Sequence, residues 1–176
     1  GTAEKRMRFA VEIVRRVREA CGPDFIIIYR LSLLDLVEDG NQWDEIVAQA
    51  KAIENAGATI INSGIGWHEA RVPTIVTSVP RAAFVDVTAK LRPHVTLPLI
   101  ATNRINMPDV AERILADGIA DMVSLARPLL ADSQWANKAR AGKPQAINTC
   151  IARNQACLDH VFENKRASCL VNPRAC

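Results

Sequence analysis

The end of this chain concentrates the residues with the clearest chemistry. Four of its five cysteines lie within NTCIARNQACLDHVFENKRASCLVNPRAC, the stretch over residues 148–176. Cys150, Cys157 and Cys169 have the spacing of metal ligands, but Arg153 stands where a further ligand is expected. Arginine carries only N–H donors and has no lone pair for a metal. The pattern therefore leaves three interpretations open: a metal site, a damaged metal site, or a coincidence.

Arginines form a second group with definable chemistry. Arg104 in TNR and Arg127 in LARP each follow a short apolar run. Because a guanidinium can hold a phosphate through two parallel hydrogen bonds, this pair predicts a phosphate site. The competing interpretation is that both are surface arginines in ordinary ion pairs. Arg30 directly follows the apolar run FIIIY, so it must either face a site or pair with an acid.

A histidine within GIGWHEAR, at positions 64–71, is the remaining candidate. The ordinary pKa of histidine lies near neutrality, so His68 is suited to proton transfer. A lone histidine is more often structural than catalytic, and the residues by themselves leave both roles open. His94 and His160 belong to no comparable group and are expected on the surface.

Helix and strand patterns alternate along the part of the chain that must position these residues. Apolar residues recur at helical spacing in 4–20, 42–56, 80–91, 107–117 and 132–141, while strand-like apolar runs occupy 25–29, 58–64, 97–102 and 120–126. Repeated βα units predict a parallel sheet with right-handed crossovers. Two α/β folds then compete, a doubly wound open sheet and a (β/α)8 TIM barrel.

The polar residues favour the barrel. No G-x-G-x-x-G motif follows the first predicted strand, which removes the main signature of a dinucleotide-binding open sheet. Polar residues gather at the predicted carboxyl ends of the strands, which form the active-site face of a barrel. Because four strands make half a barrel, we expect residues 1–143 to be the second half of a TIM barrel and 144–176 to be an irregular cysteine segment. The open sheet edges would pair with the missing half-barrel or with a second copy of the chain.

Composition excludes several classes of partner. The chain has 176 residues, 49% of them hydrophobic, and a net charge of +3 with acidic and basic residues interleaved. This balance does not indicate binding to nucleic acid. No apolar run approaches the roughly 20 residues that cross a membrane, and no secretory signal is visible. We therefore expect a cytoplasmic protein, in which clustered cysteines favour metal or redox use over disulfides.

Several stretches together resemble one enzyme family. They are FIIIYRLSLLDLVEDG, GATIINSGIGWHEARVPTI, PLIATNRIN, DMVSLARPLLAD and the cysteine segment. Along essentially its whole length the chain is similar to the bacterial NADPH-dependent 2,4-dienoyl-CoA reductases, which are Old Yellow Enzyme-like flavin barrels with an iron–sulfur segment. The resemblance implies reduction of 2,4-dienoyl-CoA thioesters in the β-oxidation of unsaturated fatty acids, with an acyl-CoA substrate and electrons from NADPH. GWHEAR favours this branch over related enoate reductases and amine dehydrogenases, and a truncated scaffold without cofactor or activity is the other alternative.

The resemblance also implies roles for individual residues. The phosphate and ribityl chain of FMN would lie near Arg104, Ala126 and Arg127, and its isoalloxazine ring would lie against Arg30. His68 would donate a proton to the substrate and share that task with a tyrosine from the missing half. The substrate would be lined by His68, Glu69, Ala70 and Arg71.

In the same family, the cysteine segment holds a [4Fe–4S] cluster, which implies Cys150, Cys157 and Cys169 as ligands here. Arg153 replaces the second of the family's four cysteines, so the outcome stays open: an outside ligand, Cys176 as a substitute, or no cluster. Zinc is the alternative metal. FAD and NADPH would bind only in a region after Cys176, so we expect the fragment alone to be inactive.

Overall fold

Four parallel β-strands form the framework of the chain. The computed structural model describes residues 1–66, 70–71 and 73–175. The strands are β1 (Ile28–Leu34), β2 (Ile60–Ile65), β3 (Leu99–Ala101) and β4 (Met122–Val123), and they lie side by side in chain order. Each neighbouring pair is parallel. The predicted arrangement of four βα units, half of a TIM barrel, is confirmed.

Helices occupy the connections between the strands and part of the cysteine segment. They are α1 (Ala3–Cys21), α2 (Trp43–Asn55), α3 (Val85–Leu91), α4 (Pro108–Ala116), α5 (Arg127–Ala131), α6 (Trp135–Arg140) and α7 (Leu158–Phe162). Short 3₁₀ helices lie at Arg92–His94 and Pro144–Ala146. The ends of α1 show why it forms where predicted: Thr2 Oγ1 accepts a hydrogen bond from the Lys5 N–H, and Gly22 ends the helix with a φ of 82°.

None of the helices in the part of the chain that the structure describes combines the length and the apolar character required to cross a membrane.

The first strand does not coincide with the apolar run that predicted it. β1 begins at Ile28 instead of Phe25, and the Phe25 side chain is 51% exposed. Hydrogen bonding sets this start, because Thr59 Oγ1 bonds both the N–H and the carbonyl oxygen of Ile27 just before the parallel ladder begins. The strand predicted over 25–29 therefore lies further along the chain, at Ile28–Leu34.

Two predicted helices are shorter than their sequence patterns indicate. α3 begins at Val85 rather than near residue 80, because Ala82 has a left-handed φ of 56° and its N–H bonds the carbonyl oxygen of Arg104. The helix predicted from residue 132 begins only at Trp135. Asp132 has the extended backbone angles φ −149° and ψ 100°, which separate α5 from α6.

Apolar packing is concentrated around the two central strands. Ile61 in β2 and Leu99 in β3 have exposed fractions of 0% and 1%. One apolar cluster joins these residues to Ile46 of α2, and a second joins Ala101 of β3 to α4 and to Trp135 of α6. The packed core gives a rigid platform for the side chains at the carboxyl ends of the strands.

A buried carboxylate attaches the cysteine segment to the barrel part. Asp132 is 4% exposed, and its Oδ2 accepts hydrogen bonds from Lys138 Nζ at 2.6 Å and from the Asn148 N–H at 2.9 Å. Its Oδ1 accepts from the Gln134 N–H at 3.0 Å. Burial acts to raise the pKa of Asp132, but the three hydrogen bonds outweigh burial and hold that pKa below its ordinary value.

Removal of this carboxylate should destabilise the chain. Asp132→Ala leaves Lys138 and two backbone N–H groups without their acceptor, so we expect a loss of about 2–4 kcal/mol in the free energy of unfolding at neutral pH. Urea denaturation followed by circular dichroism measures the loss. Asp109→Ala is the control: its carboxylate forms an exposed ion pair with Arg113 at 3.6 Å. That substitution should change the free energy by less than about 0.5 kcal/mol.

The loss of stability in Asp132→Ala should become smaller at low pH. A carboxylate with a depressed pKa in the folded state stabilises above its unfolded-state pKa of about 4, and the stabilisation is lost as the pH falls through the folded-state value. The difference between wild type and Asp132→Ala should therefore narrow below about pH 4. A constant difference down to about pH 2 would contradict the role given to Asp132.

Candidate functional site

An open cleft lies at the carboxyl ends of the strands. We call it the rim cleft, and its volume is about 360 Å³. Its walls are Arg30, Asn62, Ile75, residues 102–106, residues 124–128 and Cys150. Clefts of this size bind small molecules and cofactors. The active sites of TIM barrels lie at this end of the sheet, so the rim cleft is the candidate site.

The first two strands place an arginine beside an asparagine. Arg30 lies inside β1, not after the strand as predicted, and is paired in register with Asn62 of β2. Asn62 Oδ1 accepts a hydrogen bond from Ser124 Oγ at 3.4 Å, which links β2 to the segment after β4. Gly64 provides space, since a Cβ there would lie 3.5 Å from Arg30 Nε and 3.2 Å from the carbonyl oxygen of Leu31.

The loop after β3 has a strained backbone. Asn103 and Arg104 are consecutive non-glycine residues with left-handed φ angles of 69° and 59°. Such conformations persist where surrounding contacts enforce them, which is common at functional sites. Arg104 Nε donates to the carbonyl oxygen of Val79 at 2.7 Å, and Asn103 Nδ2 donates to Thr74 Oγ1 at 2.8 Å. The segment over 74–79 therefore holds this loop at the rim cleft.

The arginines of the rim cleft have no acidic neutralising partner in the part of the chain that the structure describes. The ion pairs found there do not involve Arg30, Arg104 or Arg127. Burial lowers the pKa of Arg104, while Cys150 acts to raise it and Arg81 lowers it further. The guanidinium stays protonated at neutral pH, because arginine ordinarily titrates above about pH 12. The rim cleft thus concentrates positive charge and favours an anionic ligand.

Arg127 joins the rim cleft to the cysteine segment. It is the first residue of α5, and its Nη1 donates to Asn154 Oδ1 and, at 3.4 Å, to the carbonyl oxygen of Ile75. Asn154 Nδ2 donates to the same carbonyl oxygen at 2.9 Å. These three residues form a hydrogen-bonded triangle, so a ligand that moves Arg127 also acts on Asn154.

A second, smaller cavity contains the thiols. We call it the cysteine cavity; it is lined by Arg127, residues 150–157 and residues 169–171, and its volume is about 30 Å³. Cys150, Cys157 and Cys169 all line it, and so does Arg153. Since Cys150 and Arg127 also line the rim cleft, the two cavities share a wall.

Asn106 holds that shared wall in place. Its Nδ2 donates to the carbonyl oxygen of Cys150 at 2.8 Å, and its own carbonyl oxygen accepts from Trp135 Nε1 at 3.1 Å. Asn106 Oδ1 is buried and lacks a hydrogen-bond partner among the described residues, so a ligand hydroxyl or a water could satisfy it. Burial is the largest influence on the Cys150 thiol and raises its pKa.

The structure brings together the residues expected to hold FMN, while the role of the expected substrate segment stays a prediction. The rim cleft is lined by Arg30, Arg104, Ala126 and Arg127. Ala70 and Arg71 are described but are not among its lining residues, and Arg71 is exposed. His68 and Glu69 lie outside the described residues, so their places stay predictions.

Several polar residues that line the two cavities were not predicted from the sequence. Thr102, Asn106 and Ser124 line the rim cleft, and each lies near the carboxyl end of a predicted strand or in the following loop. That position is the signal that could have found them. Asn154 carries no such signal, because its partners Arg127 and Ile75 are 27 and 79 residues away in the chain.

Sequence comparison establishes the family. The profile of the NADH:flavin oxidoreductase / NADH oxidase family matches residues 1–146. The chain belongs to this family. It is 44% identical to a metal reductase of Desulforamulus reducens over 99% of this chain and 26% of that protein. It is 38% identical to an NADH oxidase of Thermoanaerobacter brockii over 99% of this chain and 27% of that protein.

The fold of the chain is also that of a solved relative. The structure of 2-naphthoyl-CoA reductase in complex with 2-naphthoyl-CoA matches 99% of this chain and 27% of that chain, with a TM-score of 0.95 and 33% identity. The chain therefore spans about a quarter of the length of the proteins that it matches. The predicted membership of the Old Yellow Enzyme-like flavin oxidoreductases is confirmed at this level, while 2,4-dienoyl-CoA reduction stays a prediction.

The residues of the rim cleft fit the flavin that the family implies. Three guanidiniums without carboxylate partners among the described residues supply the donors that a phosphate requires. The unpartnered Asn106 Oδ1 supplies an acceptor of the kind that a ribityl hydroxyl needs. The charge and the donor set of the rim cleft are therefore those of a site for FMN.

The cysteine cavity does not fit a four-cysteine cluster. Three cysteines line it, and Arg153 takes the position of the expected further ligand, although a guanidinium cannot ligate iron. The described part of the cavity wall therefore supplies three thiols, where a cluster of this type needs four. Within the residues that the structure describes, no group of three or more Cys, His, Asp or Glu side chains could hold a metal ion.

The affinity for FMN should depend on the arginines of the rim cleft. Arg104→Gln removes a charged donor but keeps a long polar side chain, and we expect FMN to bind roughly 10- to 100-fold more weakly. Titration of the purified apoprotein with FMN, followed by flavin fluorescence, measures this change. Arg113→Gln is the matched control, since the Arg113 side chain is 70% exposed on α4. Equal affinities of the two variants would rule out Arg104 as a phosphate ligand.

Proposed function

We propose that the protein binds FMN in the rim cleft and reduces a conjugated carbon–carbon double bond of an acyl-CoA thioester, with 2,4-dienoyl-CoA as the substrate class and NADPH as the source of electrons. The observation that carries the proposal is the cluster of three arginines at the active-site end of a flavin-family barrel sheet. Similarity to a reductase of 2-naphthoyl-CoA supports a CoA thioester as substrate. The sequence GWHEAR supports the dienoyl-CoA branch.

Each arginine has a separate task in this proposal. Arg104 and Arg127 would hold the phosphate of FMN, and the backbone at Ala126 would lie beside them. Arg30, fixed opposite Asn62 in the sheet, would place a permanent positive charge near the pyrimidine edge of the flavin ring, where it stabilises negative charge. The chemistry that FMN supplies when bound is transfer of a hydride to an electron-poor carbon.

Proton transfer is assigned to His68. Addition of a hydride to a conjugated thioester leaves negative charge on the substrate, which a proton must neutralise. A histidine donates that proton efficiently near neutral pH, because its pKa lies close to the working pH. Glu69, Ala70 and Arg71 would line the substrate, with Arg71 meeting the thioester or CoA end. These assignments rest on the sequence motif.

The proposal routes no electrons through the cysteine segment. A [4Fe–4S] cluster and a following region for FAD and NADPH belong to the resemblance, but the donor set of the cysteine cavity does not fit such a cluster. The route by which electrons from NADPH reach FMN is therefore left to experiment, and the assignment of the FMN site rests on the rim cleft alone.

A second candidate function is the reduction of a metal ion as substrate, since the 44% identical relative is a metal reductase. An anaerobic assay of the barrel completed by its missing half, with a reduced electron donor, separates the two candidates. One arm contains 2,4-hexadienoyl-CoA, one contains the free dienoic acid, and one contains ferric citrate. The proposal expects turnover of the thioester and little of the free acid. Reduction of ferric iron without turnover of the thioester would replace the proposal by the second candidate.

His68→Asn should lower turnover of the thioester by about 100-fold or more, because a positioned proton donor contributes roughly that factor. The FMN content should stay unchanged. In wild type, the rate should fall as the pH rises through the range in which a histidine ordinarily loses its proton, and the variant should lose this pH dependence. His160→Asn is the control, since the His160 ring Nδ1 lies 3.1 Å from the carbonyl oxygen of Arg166 and His160 is not among the lining residues of the rim cleft. Loss of activity together with FMN would point to a structural role for His68.

A further inference from the structure

The cysteine cavity differs from an iron–sulfur cluster site in one residue, because Arg153 stands where a fourth cysteine ligand is expected. An iron–sulfur cluster of the four-iron type is usually held by four thiolates. Arg153 lines the cysteine cavity beside Cys150, Cys157 and Cys169, and its Nε donates to Gln155 Oε1 at 3.2 Å. The guanidinium offers neither a lone pair nor a negative charge, so it opposes the assembly of a cationic iron core.

Arg153 is also built into the local backbone. Ala152 and Asn154 on either side of it have left-handed φ angles of 56° and 70°. Asn154 is fixed by its hydrogen bonds to Arg127 and Ile75. Arg153 lines a second, open cleft with residues 76–78, so its charged end has access to solvent. The side chain therefore lies at the boundary of the cysteine cavity without a buried charge.

The cysteine segment is attached to the barrel part by contacts that need no metal. Thr77 Oγ1 donates to the carbonyl oxygen of Ile151 at 3.0 Å, and Asn172 Nδ2 donates to that of Ala131 at 2.9 Å. The Asn106 bond to Cys150 and the Asn154 bond to Ile75 add two further links. These side-chain-to-backbone bonds begin on different elements and are spread along the segment, so together they fix its course.

We infer that the cysteine segment of this protein folds and docks on the rim without a [4Fe–4S] cluster, and that Arg153 is the residue that excludes the cluster. The inference concerns the cysteine cavity and goes beyond the proposed function, which concerns the rim cleft. It follows that electrons must reach the rim cleft by a route other than a cluster in this segment. The predictions on FMN affinity and thioester reduction can be wrong while the inference about the cysteine segment holds, and the reverse is also true.

Iron and sulfide analysis after anaerobic reconstitution tests the inference. The purified protein, treated with ferrous iron and sulfide and then desalted, should retain less than about one tenth of the four irons of a complete cluster. Arg153→Cys should retain at least about fivefold more iron and approach four irons and four sulfides per chain, with a broad visible absorption. Retention of about three or four irons by the wild type would overturn the inference.

Two matched variants identify the cause. Arg153→Ser removes the charge without adding a thiol, and Arg166→Cys adds a thiol elsewhere in the same segment. Neither should gain iron. If both gain as much iron as Arg153→Cys, or if Arg153→Cys gains none, Arg153 is not what excludes the cluster and the inference fails. Cys176→Ser should leave wild-type iron unchanged, and a loss of bound iron in that variant would identify Cys176 as the fourth ligand and overturn the inference.

A measurement of stability tests the docking independently of reconstitution. The melting temperature of the wild type should not change when a strong iron chelator is added, because hydrogen bonds hold the segment. Thiol titration of the unfolded protein should find all five cysteines without prior removal of metal. A chelator that lowers the melting temperature of the wild type would show that a metal supports the segment and would overturn the inference.

Discussion

The common direction of the four strands is the constraint on which the site depends. Parallel hydrogen bonding brings every carboxyl end to the same edge, so residues that are far apart in the chain meet there. The register that pairs Arg30 with Asn62 and the loops after β3 and β4 then place three guanidiniums around one cleft. Buried apolar packing around β2 and β3 holds the backbone that carries these arginines.

The rim cleft and the cysteine cavity are coupled through one polar junction. Arg127 has hydrogen bonds to Asn154 and to the carbonyl oxygen of Ile75, while Asn106 Nδ2 donates to the carbonyl oxygen of Cys150. Hydrogen bonds of this kind are directional, so a shift of Arg127 of more than a few tenths of an ångström breaks them. The position of the cysteine segment therefore helps to set the geometry of the arginine that we assign to the phosphate.

The sequence predicts the parts of the molecule that periodicity determines. Alternating helices and strands, and the gathering of Arg30, Arg104 and Arg127 at one edge, follow from local patterns. The start of β1 could not be read in the same way, because Thr59 sets it through a tertiary hydrogen bond. The positive φ of Ala82 and the extended backbone of Asp132 are likewise enforced by partners that a propensity cannot reveal. The role of Asn154 could not be predicted either, since its hydrogen-bond partners Arg127 and Ile75 are distant in the sequence.

The cysteine cavity shows why the spacing of cysteines in a sequence is weaker evidence for a metal cluster than the number of cysteines that can bind it. Spacing is preserved when the backbone is held by other contacts, and here side chains from the loop after β3, from α5 and from the segment before α3 hold it. Because the docking contacts are hydrogen bonds within the protein, a thiolate can be replaced by a guanidinium while the remaining cysteines stay grouped. The grouping of Cys150, Cys157 and Cys169 is therefore explained by the docking of the segment and does not require a metal to maintain it.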